Sequence, residues 1–201
     1  MKYISQRFLA CVPFCLAAVV ANATQPDSDR SLKIAGVVID ATTSKPLDGA
    51  WVLLSFHEAR TDGFSASTRC VRTTGMYTGA NGAFHFTVDK EERIGAVTAI
   101  RPGYHLYAVD QPTREQWNAR DSKAFSNFKI LLQEQDQNHP RWDTNPEAYC
   151  DWARTSKDVE AADTFLEIQV EDEKRYGNSP ERTRALQNVI NRHKSLGAAV
   201  K

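Results

Sequence analysis

The chain has 201 residues, with 25 basic and 25 acidic side chains and a formal charge of zero. That balance leaves no electrostatic footprint for nucleic acid or for an anionic membrane surface. A hydrophobic content of 41% is ordinary for a globular chain, and the length suits one domain with a core plus an appendage.

Residues 1–23 read as an export signal. Lys2 and Arg7 form a short basic region, and the apolar run Phe8 to Val20 is too short and too interrupted by Pro13 to span a bilayer comfortably. Ala21 and Ala23 then occupy the small-residue positions before a cleavage point, which makes Thr24 the mature start. A buried N-terminal helix or a retained anchor is the competing reading. A lipoprotein signal ending at Cys11 has too few apolar residues ahead of the cysteine. Cleavage would leave about 178 residues, two charges or so on the acidic side, with no later run able to cross a membrane. The expected location is the periplasm or the cell exterior.

Cleavage also removes Cys11 and Cys15, leaving Cys70 and Cys150. In an oxidising compartment two such cysteines are expected to pair, the alternative being two independently buried thiols. No CxxC or Cys/His ligand spacing points to zinc or redox chemistry.

After a polar lead-in, 24–31, the texture is of strands separated by turns. "LKIAGVVID" is β-branched and apolar and ends at "ATTSKPLDG"; "AWVLLSFHEA" is apolar on both faces; "EARTDGFSAS" reads as a loop; "TRCVRTTGMYT" carries Cys70 as a third strand. In "YTGANGAFHF" Asn81 and Gly82 supply the positive-φ chemistry of a β-hairpin turn, followed by a strand with Phe84 and Phe86 on one face. "GAVTAI" leads to a turn at Pro102–Gly103, and "AFSNFKILLQEQ" closes the set with Phe128, Ile130 and Leu132 in alternation. The pattern predicts an antiparallel sandwich, mainly β in class.

Beyond the turn-rich "NHPRWDTNP", Asn145 and Pro146 read as the start of a helix, opening a helical extension over 145–197. Thr155 to Tyr176 is a second helical stretch, with Ala162, Phe165, Ile168 and Gln169 sharing a modest stripe. "YGNSP" stops it, Ser179 caps a last helix with Pro180 first, Leu186, Val189, Ile190 and His193 share its inner face, and Gly197 ends it. The last two helices form an antiparallel hairpin packed on the sandwich.

The sandwich segment resembles the carboxypeptidase regulatory-like domains, which have a transthyretin-like fold. The resemblance rests on Gly36, Val38, Asp40, Lys45, Pro46, Leu47, Gly49 and Ala50, with Ser44 where glycine is common. It continues in Thr78, Gly79, Gly82 and Phe84, where Gly79 replaces an acidic residue, and in Pro102, Gly103 and Tyr104. It covers about Leu32 to Gln135, roughly half of the mature chain. It implies the fold, an antiparallel seven-stranded Greek-key sandwich over 32–135, and a noncatalytic role, since the regulatory-like domain of the carboxypeptidases does no chemistry.

Fold relatives do include enzymes. None of the five histidines heads a His-x-x-Glu, and the chain lacks a terminal Tyr-Arg-Gly-Ser. His85 and His105 with Tyr77, Tyr104 and Tyr107 could be imagined as an iron-binding set, although the spacing does not match the intradiol dioxygenases. Ser65 and Ser67 lack a nucleophile elbow. Glu171, Asp172 and Glu173 form a run expected on a solvated helix face. Catalytic, cofactor and metal residues are therefore expected to be absent, leaving a binding or structural module for a protein, peptide or glycan. The alternative is a small-ligand enzyme with a histidine-containing or metal-binding pocket, and a third reading is an assembly subunit offering an edge strand. The outer face of the second strand, with Trp51 and Leu53, must either be covered by the C-terminal helices or stand open with Trp117 and Trp142 as a binding patch.

Overall fold

In β1 (Ser31–Asp40), Leu32, Ile34 and Val38 are buried while Lys33, Ala35 and Val37 are less so, the period-two pattern of a strand with one face on a core. The structure, a computed structural model, describes residues 30–61, 66–110, 112–136, 150, 152–177 and 179–196. Sheet A has the order β4-β1-β7-β6, with β4 (Ala83–Asp89), β6 (Tyr104–Asp110) and β7 (Phe128–Glu134). Sheet B has the order β3-β2-β5, with β2 (Trp51–Thr61), β3 (Ala66–Tyr77) and β5 (Ile94–Ile100). Between them lies a core of Phe84, Phe86, Phe128, Ile130 and Leu132 from one sheet and Val52, Leu54, Phe56 and Val97 from the other.

Seven strands are thus present among the described residues, but sheet A is mixed rather than antiparallel. β7 runs parallel to β1, with Gly36 opposite Phe128 and Asp40 opposite Leu132, and antiparallel to β6. A strand inserted between β1 and β6, which run in opposite directions, can be antiparallel to only one of them. The approach to β7 is also helical, and its last residues, 124–125, fall where the closing strand was expected to begin. α1 (Arg114–Ala119) is held by a capping box between Thr113 and Gln116, and α2 (Ser122–Phe125) by Asp121 accepting from the Lys123 N–H at 3.0 Å. α2 drops Phe125, fully buried, onto Phe128 at the end of the core.

The turn at 79–82 closes locally, with the Gly82 N–H on the Gly79 carbonyl at 2.8 Å and Gly82 at φ +69°. Its flanking strands nevertheless belong to different sheets, so it is a corner between layers and not a hairpin. Asn81 keeps a negative φ; the left-handed position is Gly82 alone. The loop expected at 58–67 is shorter too, because β2 and β3 continue pairing to Thr61 opposite Ala66.

The residues that carry the family resemblance knit one end of the sandwich. Thr78 Oγ1 donates to the Leu47 carbonyl at 2.7 Å and accepts from the Ala50 N–H at 3.0 Å. The Asp40 carboxylate accepts from the Thr42 and Thr43 N–H groups, both at 2.8 Å, which holds its pKa below the usual value against the opposing effect of burial. Ser44 adopts φ +57°, the left-handed conformation that makes glycine common at that place.

At the C-terminal side, the Thr155 N–H and hydroxyl both donate to Asp158, at 3.0 and 2.8 Å, opening a 3-10 turn (Ser156–Val159) that runs into α3 (Glu160–Tyr176). α4 (Pro180–Ser195) starts at Ser179, whose hydroxyl accepts from the Arg182 N–H at 3.2 Å. The two helices pack Phe165, Leu166, Val170, Leu186 and Ile190 onto Leu53 and Ile100 of sheet B. Trp51 Nε1 donates to the Ala161 carbonyl at 3.0 Å. The second apolar face of β2 is therefore covered by the helices. Asn145, Pro146, Trp142 and Gly197 lie outside the described residues.

Cys70 on β3 is bonded to Cys150, and the pair packs with Ala153, Val159 and Ala162 beneath the start of α3. The bridge closes a span of 80 residues. On chain entropy a loop of that length stabilises by roughly 4 kcal/mol. The double variant Cys70→Ser/Cys150→Ser should lose about that much in urea unfolding. An unchanged midpoint would contradict the assignment.

Candidate functional site

Of the places that bring polar side chains together, two differ sharply in reach. The first is a narrow hollow under the helical hairpin, at the seam where the β5 and β6 edges meet. Tyr104, His105, Gln169, Asp172, Glu173 and Arg182 line it around a cavity of about 30 Å³. That is room for about one or two water molecules.

The acidic run expected on a solvated face supplies two of these residues. Asp172 and Glu173 are 5% and 2% exposed, whereas Glu171 stands in solvent and pairs with Lys174 at 2.7 Å. The sequence held the signal: extending the Ala162–Phe165–Gln169 spacing by three or four residues reaches Asp172 and Glu173. What places them inside is the turn between β5 and β6, whose Gly103 N–H donates to both Asp172 oxygens, at 3.0 and 3.3 Å. Glu173 faces α4, with Oε2 3.5 Å from Arg182 Nε.

Burial is the leading cause of both acids' behaviour. It pushes Asp172 up to about 6, against the opposing Gly103 N–H and the Arg175 charge. It raises Glu173 as well, against Arg182. Tyr104 is raised, chiefly by burial and then by Asp40, to which its hydroxyl donates at 3.4 Å. The Asp172–Gly103 contact fastens the hairpin to the sandwich and Glu173–Arg182 joins its two helices, and a space of about 30 Å³ between them is small for an organic substrate.

The imagined histidine–tyrosine set is scattered. His85 is exposed on β4 and His105 sits on β6, the opposite edges of sheet A. Three strand spacings separate such edges, about 14 Å. Tyr77 and Tyr107 are 54% and 58% exposed and belong to different sheets. The His105 ring nitrogens are buried against the hairpin. Among the described residues no three His, Cys, Asp or Glu side chains are grouped to hold a metal ion. Ser67 is an exposed strand residue, Ser65 lies outside the described residues, and Trp117 is half-buried against Phe125 at 5.0 Å. A second histidine, His193, is buried between the helices with Nδ1 2.6 Å from Asp163 Oδ1, away from either cavity.

The second place is open to solvent. His57, Thr68, Arg93, Trp117, Asn118 and Arg120 line a cleft of about 450 Å³ between sheet B and the α1–α2 corner. His57 stacks on Gly95, where a Cβ would come within 2.2 Å of Nε2, and Ser55 Oγ lies 3.4 Å from the same nitrogen. Only glycine leaves space for that ring. Sequence reading missed this cleft, because its residues come from four separate segments with no shared motif.

Asp172 gives a pH signature. An acid whose pKa rises from 3.8 to about 6 on folding costs stability once ionised, so stability falls as pH rises through that window and stays lower above it. Asp172→Asn keeps an acceptor for Gly103 and removes the charge. It should stabilise the protein at pH 7.5 by up to about 3 kcal/mol and by nothing near pH 4. An equal effect at both pH values, or a loss at pH 7.5, would contradict this.

No family model matches the chain, and no curated protein matches it. Among solved structures it is similar to the dioxygenase domain of a dioxygenase carbohydrate-binding protein fusion from the cellulolytic bacterium Streptomyces sp. SirexAA-E, at 16% identity over 57% of this chain and 82% of that one, with a TM-score of 0.29. A likeness at that level shows neither fold nor function.

Proposed function

We propose that the protein is an exported, noncatalytic carboxypeptidase regulatory-like module with the transthyretin-like Greek-key arrangement, serving a binding or structural role in the cell envelope. The observation that carries this reading is where the ionisable groups go. His105, Asp172 and Glu173 surround room for about one or two waters, with Asp172 tying the hairpin to the sandwich, while the cleft open to solvent offers hydrogen-bond donors and an aromatic wall. An open cleft with donors and an aromatic wall suits recognition of a ligand. The Cys70–Cys150 bridge suits an oxidising compartment, and a partner would be a protein, peptide or glycan.

Expression of the full chain in a bacterial host tests export. Mass spectrometry of the periplasmic fraction should find a chain beginning at Thr24 with both remaining cysteines oxidised. A chain retained in the cytoplasm with residues 1–23 intact and free thiols would overturn the reading.

A further inference from the structure

One guanidinium nitrogen at the open cleft has no hydrogen-bond partner among the described residues. Arg120 is the residue that ends α1, in the left-handed conformation at φ +53°, with its own N–H on the Gln116 and Trp117 carbonyls. The residue is half-buried at the cleft, and its Nη1 is buried without a hydrogen-bond partner among the described residues. A guanidinium N–H stripped of water and given no acceptor is unfavourable, so the site gains from any group that brings oxygen acceptors with negative charge.

The surroundings are of one kind. Arg93 enters the same cleft from the start of β5, and neither Arg93 nor Arg120 forms an ion pair with a described residue. Asn118, Thr68 and His57 add groups able to donate, and no carboxylate stands among the described lining residues. Arg93 also borders a neighbouring cleft holding Glu58, Glu91 and Glu92. Glu92 is committed to Arg72, and the Asp89 N–H also donates to it, at 3.4 Å. Trp117 and Ile94 give the cleft an apolar wall. A volume of about 450 Å³ is that of a site for a small organic molecule, more than a bare ion needs.

We propose that the cleft formed by Arg93, Arg120, His57 and Asn118 binds a small solute through an oxyanion group, a carboxylate, phosphate or sulfate, with Arg120 as its buried anchor. This deepens the binding reading above and rests on it. Arg93 contributes the second charge at the mouth, and Trp117 packs against the body of the ligand.

Calorimetric titration of the mature, disulfide-bonded protein with citrate, inorganic phosphate and sulfate, at constant ionic strength in sodium chloride, tests it. At least one probe should bind saturably. Arg120→Gln and Arg93→Gln should each weaken that binding by about tenfold or more, as loss of a charge-assisted contact does. Arg184→Gln, on the exposed face of α4, should leave it unchanged. Citrate binding without phosphate or sulfate binding would assign the ligand as a carboxylate, and the reverse order as a tetrahedral oxyanion. If Arg120→Gln does not fold, Arg93→Gln decides alone, since no described residue depends on its side chain. Absence of saturation below roughly 10 mM for all three probes, or equal weakening in Arg184→Gln, would overturn the proposal. Such a failure would leave the processing and oxidation results above untouched, so the two readings fail separately.

Discussion

The architecture depends on β2 being apolar on both faces. Val52, Leu54 and Phe56 fill the space between the sheets, while Leu53 and the Trp51 ring project the other way. A strand in a two-layer sandwich normally turns one face to water. Here the outer face would expose Leu53, Ile100 and most of an indole, so a third layer is obligatory. The α3–α4 hairpin is that layer, and each fully buried Leu or Phe it seats contributes about 2 kcal/mol.

Covering the face creates a polar problem at its edge. α3 is long enough that its last turns overhang the β5–β6 turn, where acidic side chains meet backbone. Asp172 resolves this by accepting the Gly103 N–H, and Glu173 by facing Arg182 on the next helix. Both carboxylates pay in desolvation, which is why their pKa values rise. The disulfide and the Thr73 hydroxyl, which accepts from the Ala162 N–H at 3.3 Å, fix the opposite end of α3 to β3. The hairpin is thus held at both ends and along its length. The α1–α2 corner, by contrast, leaves Arg120 facing an open cleft.

Much of this was legible in the chain. Alternation in β1, β4 and β7 and the Leu186–Ile190–His193 stripe were readable because each reports a local period against a face that is buried. Gly82 was readable as turn chemistry, and Asp40 and Thr78 through the family resemblance. Strand direction was not, because period-two alternation is the same for parallel and antiparallel neighbours. That is how β7 came to be expected antiparallel throughout. α1 and α2 span six and four residues, too short for a helical period to declare itself, and Phe125–Phe128 imitates part of a strand. The acidic run at 171–173 was misjudged because its burial is decided by a turn some 70 residues earlier. Arg120 was invisible for a similar reason: it ends α1 in a left-handed backbone conformation that arginine gives no hint of adopting.

The claim at the centre is that sandwich and hairpin are one cooperative unit, joined through the outer face of β2. Native-state hydrogen exchange measures this directly. The amides of β2 and those of α3 and α4 should open with the same free energy, equal to that of global unfolding. Hairpin amides exchanging through a cheaper opening, while β2 keeps full protection, would show the helices to be an accessory to the fold and contradict the account.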